Sequence, residues 1–208
     1  MRFSKRGHSP GRAAAPALQQ ELRAPLTVVR VHAPATPRDV GRRQVALVYD
    51  RVFVPSLVLD HTELMLRQHG AAGDEGFGVW AGTLSGGDAF VSTLVVPHVE
   101  TSGGYHGEIS PETAAMVFEQ LDTLDLVPIA QIHSHPRDAF LSHVDAQRPF
   151  VGVRGFLSII VPSFGFVDLA DVSLWRVYEF ERRERWRELV RGERQRRLII
   201  DPSILRVG

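Results

Sequence analysis

The sequence predicts a single α/β domain in which helices flank a mixed β-sheet. The chain has 208 residues, which is long enough for one well-buried domain with extensions and short for two. Apolar runs of strand length alternate with two or three segments of helical spacing, as in α/β domains. We find no internal repeat. We therefore expect a flexible N-terminal extension with one strand over residues 1–43 and the folded domain over 44–208.

The first elements lie between the extension and a turn near residue 74. Residues 26–31 are a candidate strand, and an apolar run over 45–59 opens the regular domain. Asp60, followed by Glu63 three residues later, has the pattern of an N-cap with its capping box. This pattern predicts a helix over 60–69.

Two strands and a second helix are predicted next. The strand candidates are residues 77–84 and 90–96. Ser110 followed by Pro111 is typical of a helix start, because a serine caps the helix and a proline fits its first turn. Four apolar residues at helical spacing provide its buried stripe: Ala114, Val117, Leu121 and Leu124.

Further strands are expected at 155–161, 172–180 and 198–200. Between the last two, residues 181–197 contain eight Arg and four Glu. The mixed signs and the apolar residues among them favour a solvated amphipathic helix or hairpin. Binding of RNA or DNA is the less favoured interpretation, because the glutamates would repel phosphate.

Composition excludes several classes of site and partner. The chain has no cysteine, so disulfides, iron–sulfur clusters and thiolate zinc sites are excluded, and His and carboxylates are the strong ligands that remain. Net charge is zero, which gives no argument for nucleic acid. No apolar stretch approaches the roughly 20 residues that cross a bilayer. We expect a cytoplasmic protein. Residues 1–20 contain no acid and are interpreted as a disordered tail, with a transit peptide as the alternative.

The most informative segment is His133-Ser134-His135-Pro136, which follows a short apolar run. Side chains at i and i+2 of a strand share a face, so His133 and His135 can bind one ion. Asp145 is the natural third ligand. Two His and one carboxylate plus a water are the ligands of an open, catalytic zinc site. An isolated His-x-His is more commonly an ordinary surface or core pair, which is the alternative.

Hydrolysis at such a site also needs a general base and a donor to the oxyanion. Ser142, three residues before Asp145, is the candidate donor and can cap a short helix there. Five of the glutamates upstream of the His motif are considered as the base: Glu63, Glu75, Glu100, Glu108 and Glu112. Glu75 is the candidate base, because it opens a buried strand where a carboxylate is costly unless it has a function or a partner. His98, His106 and His143 fit no recognised pattern and are interpreted as ordinary polar residues, and Trp80 and Phe140 as packing residues.

The Glu75-x-x-Gly78-x-x-x-Gly82 pattern, followed by the His motif and Ser142-x-x-Asp145, resembles the JAMM (JAB/MPN-plus) zinc metallopeptidases, in their compact prokaryotic branch. The resemblance covers roughly residues 45–180. It implies a JAB/MPN-like domain with a curved sheet. It also implies zinc binding by His133, His135 and Asp145, a general acid/base role for Glu75, and oxyanion stabilisation by Ser142. One departure is that nine residues separate His135 from Asp145, where the family usually has ten.

The resemblance implies an isopeptidase that cleaves after the C-terminal Gly of a ubiquitin-like protein, for deconjugation or precursor processing. Partners would be that protein or its conjugates and E1- or E2-like enzymes. Two alternatives stay open. One is a non-catalytic scaffold of the same fold. The other is a hydrolase of small amide or thiocarboxylate conjugates of a ubiquitin-like sulfur carrier.

Overall fold

A computed structural model describes residues 26–30, 46–97, 109–182 and 185–201. The predicted disordered tail over 1–20 lies outside these residues. So do His98, His106, Glu100 and Glu108.

Within the described ranges, nine strands form one mixed sheet, which confirms the predicted fold class. They are β1 (Leu26–Arg30), β2 (Arg51–Pro55), β3 (Phe77–Ser85), β4 (Asp88–Pro97), β5 (Val127–Ser134), β6 (Leu157–Val161), β7 (Arg176–Arg182), β8 (Arg185–Glu188) and β9 (Leu198–Asp201). Their order across the sheet is β8-β7-β6-β5-β3-β4-β2-β9, and β1 pairs with β4 beside β2. The pairs β5–β6, β2–β4 and β2–β9 are parallel and the others antiparallel.

Four helices are described: α1 (Ser56–Ala71), α2 (Pro111–Thr123), α3 (His143–Gln147) and α4 (Arg191–Arg197). Two 3-10 turns cover 163–165 and 172–174. Ser110 caps α2 as predicted, with the Thr113 N–H donating to its hydroxyl over 3.2 Å. No described helix is both long and apolar enough to span a membrane.

The predicted start of α1 is wrong. The helix begins at Ser56, directly after β2, and has no side-chain cap. Pro55 ends the strand because it fixes φ and favours entry into a helix. Five buried residues then follow at helical spacing: Val58, Leu59, Thr62, Met65 and Leu66. The apolar run over 45–59 thus contains both a strand and the first turn of a helix, and Asp60 lies inside that helix.

The strand predicted over 172–180 begins later than expected. Residues 172–174 form a 3-10 turn, which Asp171 caps by accepting the Ser173 N–H over 3.0 Å. An aspartate that binds the backbone two residues on favours a turn over a strand. The strand therefore starts at Arg176.

The sheet has an apolar core on each face. On one face, Val79, Ala81 and Val95 pack with Val117 and Leu121 of α2. The opposite face contributes to the larger core, which includes Trp80, Leu94 and Ile132 together with Met65 and Leu66 of α1. Alternate residues of β3 therefore belong to different cores, as the two-residue period of a strand requires.

Strong curvature is required by the connection between β8 and β9. These strands lie at opposite ends of the eight-strand path. In a flat sheet, β8 and β9 would therefore be about 34 Å apart. Residues 189–197, seven of them in α4, can bridge about 20 Å at most. The sheet must therefore curl until its ends approach each other.

Polar contacts close the curled sheet. The Tyr49 hydroxyl donates to the Gly155 carbonyl over 2.7 Å. At the end of α4, Arg197 binds Glu179 of β7 over 3.0 Å, and Arg187 of β8 binds the same carboxylate over 2.6 Å. Burial alone would raise the pKa of Glu179, but the two guanidinium groups outweigh burial and hold the pKa below its ordinary value.

We predict that Glu179→Gln lowers the free energy of unfolding by about 1–2 kcal/mol at pH 7, because it removes two charged hydrogen bonds. A carboxylate with a lowered folded-state pKa stabilises the protein above its unfolded pKa of about 4.3, and the stabilisation is lost as pH falls through the folded pKa. The difference between wild type and variant should therefore shrink below pH 4 in urea unfolding. As a control, Glu181→Gln removes an exposed ion pair with Arg185 and should cost less than about 0.5 kcal/mol. An equal loss from Glu179→Gln at both pH values would contradict the assignment.

Candidate metal centre

The two histidines of the motif lie side by side at the end of β5, in the middle of the sheet. β5 pairs with β3 on one side and β6 on the other, and the register places His133 opposite Phe77 and Ile160. His135 follows the strand, and its N–H still bonds to the Val161 carbonyl over 2.9 Å. Both side chains are buried. Their Nε2 atoms are 3.2 Å apart, which confirms that the segment is extended and that the rings share a face.

Asp145 reaches the two histidines from α3. Ser142 caps this helix in a reciprocal capping box: its hydroxyl accepts the Asp145 N–H over 3.1 Å, and the Asp145 Oδ2 accepts the Ser142 N–H over 2.9 Å. Asp145 Oδ1 lies 3.6 Å from His133 Nε2, and Oδ2 lies 3.6 Å from His135 Nε2. The nine-residue connection therefore brings the carboxylate to both rings.

These three side chains fit a metal ion. Their ligand atoms all lie within 4.8 Å of one another. Ligands of a tetrahedral zinc ion, with bonds of about 2.1 Å, would be about 3.4 Å apart, and the closest separations here are 3.2, 3.6 and 3.6 Å. The Nδ1 atom of His133 is buried and has no hydrogen-bond partner among the described residues.

Electrostatics favour an ionised carboxylate at the centre of the group. Burial alone would raise the pKa of Asp145, but the His133 and His135 imidazoles outweigh burial and hold that pKa far below its ordinary value. Burial alone would lower the pKa of His135, but Asp145 and then Glu75 raise it, and the net direction is upward. The carboxylate is therefore held in its ionised form, and it favours positive charge at the rings beside it.

Glu75 lines the same cavity as two of the three candidate ligands. It lies two residues before β3, half-buried in the wall of a cavity of about 410 Å³, to which His133 and Asp145 also contribute. The other walls are mostly apolar and come from β3, the start of α2 and the segment after α3: Phe77, Ile109, Pro111, Ala114, Val144, Pro149 and Phe150. The structure thus brings together the predicted base and two of the three predicted ligands beside one cavity.

Pairing between β3 and β5 sets the position of Glu75, and sequence reasoning missed the residue responsible. The buried Ser134 hydroxyl accepts the Gly76 N–H over 3.1 Å, and the Ser134 N–H donates to the Gly76 carbonyl over 3.1 Å. These two bonds tie the residue after Glu75 to the residue between the histidines. The position of Ser134 between two candidate ligands was the signal available in the sequence.

A strained turn contacts the backbone of His135, and no local sequence pattern indicated it. Ser163 and Phe164 both have φ of 53°, which is the left-handed region that side chains disfavour. The Phe164 N–H donates to the His135 carbonyl over 2.8 Å. Arg67 of α1 holds the turn from the other side by donating to the Gly165 carbonyl over 3.0 Å. Strain of this kind persists only where the surroundings enforce it.

The remaining candidates lie elsewhere or serve packing. His143 is exposed, although it is only two residues from Asp145. Glu63 pairs with Arg67 on α1, and Glu112 is exposed on α2. Trp80 is fully buried in the core. Phe140 is 55% exposed and sets its ring edge against His135, with the ring centroids 4.9 Å apart.

Comparison with known proteins adds two relatives and one solved structure. No family model matches the chain. The chain is 29% identical over 143 residues to the probable metalloprotease y4jG of Sinorhizobium fredii, covering 66% of this chain and 86% of that protein. It is 30% identical over 113 residues to the AMSH-like ubiquitin thioesterase 3 of Arabidopsis thaliana, covering 54% of this chain but 22% of the plant protein.

The fold is similar to the solution structure of protein DSY2949 from Desulfitobacterium hafniense. The TM-score is 0.51 at 16% identity, and the match covers 73% of this chain and 94% of that chain. This likeness supports the architecture alone. The two sequence relatives support a resemblance to JAMM-type metallopeptidases at modest identity.

Proposed function

We propose that the protein is a zinc-dependent peptidase that cleaves after the C-terminal Gly of a ubiquitin-like protein, either to release it from a conjugate or to process its precursor. The observation that carries this proposal is the triangle of His133, His135 and Asp145, with Glu75 in the wall of the same cavity. Two relatives support it, one named a probable metalloprotease and the other a ubiquitin thioesterase.

The three-residue triangle would hold the zinc ion. When bound, zinc acts as a Lewis acid and activates water as a nucleophile. Two neutral imidazoles and one carboxylate leave a coordination position open, as catalytic sites require and closed structural sites do not. His133 and His135 contribute no charge as ligands, so Asp145 is the one anion that the triangle supplies.

Glu75 is the proposed general acid/base. Its carboxylate takes a proton from the attacking water and hands it to the leaving amine. Two observations support this role. Glu75 lines the cavity together with His133 and Asp145, and its charge is close enough to raise the pKa of His135.

Ser142 is the proposed donor to the oxyanion. A serine hydroxyl has one hydrogen to donate besides its lone pairs, and here a lone pair accepts the Asp145 N–H. The hydroxyl also helps to keep the pKa of Asp145 low. Donation to a substrate therefore requires the hydroxyl hydrogen to turn away from the carboxylate.

The proposed partners follow from the reaction. A conjugate must be made before it is cleaved, so E1- and E2-like enzymes would act upstream of this protein on the same ubiquitin-like substrate. The zinc peptidase chemistry would be the same for a small conjugate of such a protein, and substrate assays separate the two.

We predict that the purified protein binds about one zinc ion per chain, and that His133→Ala and Asp145→Asn each lower zinc affinity by at least about 100-fold, because each removes a ligand. Competition with a chromogenic chelator measures the affinity. His143→Ala is the control, since this histidine is near in sequence but exposed, and it should bind zinc like the wild type. Absence of zinc from wild-type protein never exposed to a chelator would point to the scaffold alternative.

We predict that Glu75→Gln keeps zinc and the fold but lowers kcat about 10²- to 10⁴-fold, which is the usual contribution of a general acid/base. The assay is release of an amine from the C-terminal Gly of a ubiquitin-like protein, with zinc content measured on the same sample. Glu112→Gln is the matched control on an exposed acid and should leave kcat unchanged. Full activity of Glu75→Gln would mean that another group is the base.

The same Glu75→Gln variant identifies the substrate class. Because it should bind substrate without cleaving it, affinity capture is expected to retain a ubiquitin-like protein or its conjugate. Hydrolysis of small amide conjugates, with no hydrolysis of protein conjugates, would favour the alternative in which the protein is a hydrolase of small conjugates of a ubiquitin-like sulfur carrier.

We predict that Ser142→Ala lowers kcat about 10²- to 10³-fold, the usual effect of losing one donor to an oxyanion, and destabilises the protein by about 1 kcal/mol through loss of the cap. Asp171→Ala removes a comparable cap far from the site. It should cost similar stability without changing kcat. Equal losses of kcat in the two variants would show that Ser142 acts only through stability.

A further inference from the structure

The helix that carries Asp145 has no core of its own. α3 contains five residues, and none of them is buried. Isolated helices shorter than about 12–15 residues are marginal in water. The capping box stabilises the first turn of α3 but does not tie it to the rest of the protein, since both of its bonds lie between Ser142 and Asp145. Something else must hold the helix against β5.

Two side chains of the β7–β8 hairpin contact the chain on either side of Asp145. Trp186 of β8 donates its indole N–H to the carbonyl of Ala146 over 3.2 Å, across 40 residues of sequence. Tyr178 of β7 accepts the N–H of Leu141 over 3.3 Å through its hydroxyl. One bond thus lies directly after Asp145 and the other directly before the Ser142 cap.

The hairpin is itself well anchored. The Trp186 ring packs edge-on against Phe180, with the centroids 5.1 Å apart. Phe180 is 5% exposed, and its N–H donates to the Phe156 carbonyl over 2.8 Å. Leu189, directly after β8, is fully buried and donates to the Val177 carbonyl over 2.8 Å. A contact from this hairpin therefore ties α3 to the core.

We propose that the β7–β8 hairpin is one of the elements that position Asp145, with Trp186 and Tyr178 as positioning residues. It acts beside the contact that follows α3, where the Phe150 N–H donates to Gln131 of β5 over 2.9 Å. The inference rests on the proposed function where it concerns zinc, but the placement of α3 is a property of the metal-free chain as well. The proposal gives a role at the site to residues 181–197, which contain eight Arg. It also explains how a connection one residue shorter than the family usually has can present its carboxylate, because the hairpin holds both flanks of that carboxylate.

The test is zinc affinity of full-length protein carrying Trp186→Phe, measured by competition with a chelator. This variant keeps a ring against Phe180 but removes the indole donor. Zinc affinity should fall about 10-fold or more, as for other residues that orient ligands. Trp80→Phe is the control: it removes an indole hydrogen bond of 3.0 Å to Thr62 on the α1 side of the sheet, so it should lower the melting temperature without changing zinc affinity.

Hydrogen exchange of the metal-free protein provides the second readout. In Trp186→Phe, amides of residues 142–147 should exchange several-fold faster than in wild type, while Trp80→Phe leaves them unchanged. Tyr178→Phe should accelerate hydrogen exchange of the same amides, because it removes the contact with Leu141. This variant replaces Trp186→Phe in the test if Trp186→Phe does not fold.

The outcomes separate the two proposals. Unchanged exchange of 142–147 in Trp186→Phe, or equal effects of Trp186→Phe and Trp80→Phe on zinc affinity, would overturn the inference. Wild-type protein that binds no zinc would instead overturn the proposed function, and the exchange result would then decide the inference by itself.

Discussion

The site depends on bringing a carboxylate into contact with two buried imidazoles. Burying an ionised group is unfavourable unless partners compensate for the lost water. Asp145 has such partners in His133 and His135 and in the backbone N–H of Ser142. The nearby structure serves this contact from three directions. β5 aligns the rings, the strained turn at 163–165 supports His135, and the capping box holds the carboxylate.

Curvature of the sheet connects this local arrangement to the whole chain. Because the sheet curls, its last strand returns to pair with β2, and Arg197 binds Glu179 across the closure. The same curl presents the β7–β8 hairpin to α3. The two histidines therefore lie at the central strands, while Trp186 and Tyr178 from later in the chain contact the segment that carries Asp145. The β7–β8 hairpin therefore connects the curled sheet to the segment around Asp145.

Local patterns in the sequence predicted the parts of the site that depend on neighbours in the chain. The i, i+2 spacing placed His133 and His135 on one face, and Ser142 caps a short helix as its spacing indicated. The start of α1 was missed because Pro55 divides an apolar run whose second half is helical. Contacts such as those of Ser134 with Gly76, or Arg67 with Gly165, join segments 58 and 98 residues apart. Such contacts depend on strand pairing and packing, which no local pattern encodes.

Strand β8 is an edge of the sheet, and its composition affects how copies of the protein meet. Among the described strands it pairs with β7 alone. Three of its four residues are charged: Arg185, Arg187 and Glu188. Charged edge strands resist pairing with a strand from another molecule, because that pairing would require their charges to lose water. Trp186, the one aromatic residue of β8, is half-buried and donates its indole N–H to Ala146 of α3. The strand that contacts α3 through Trp186 is thereby also protected against edge-to-edge aggregation.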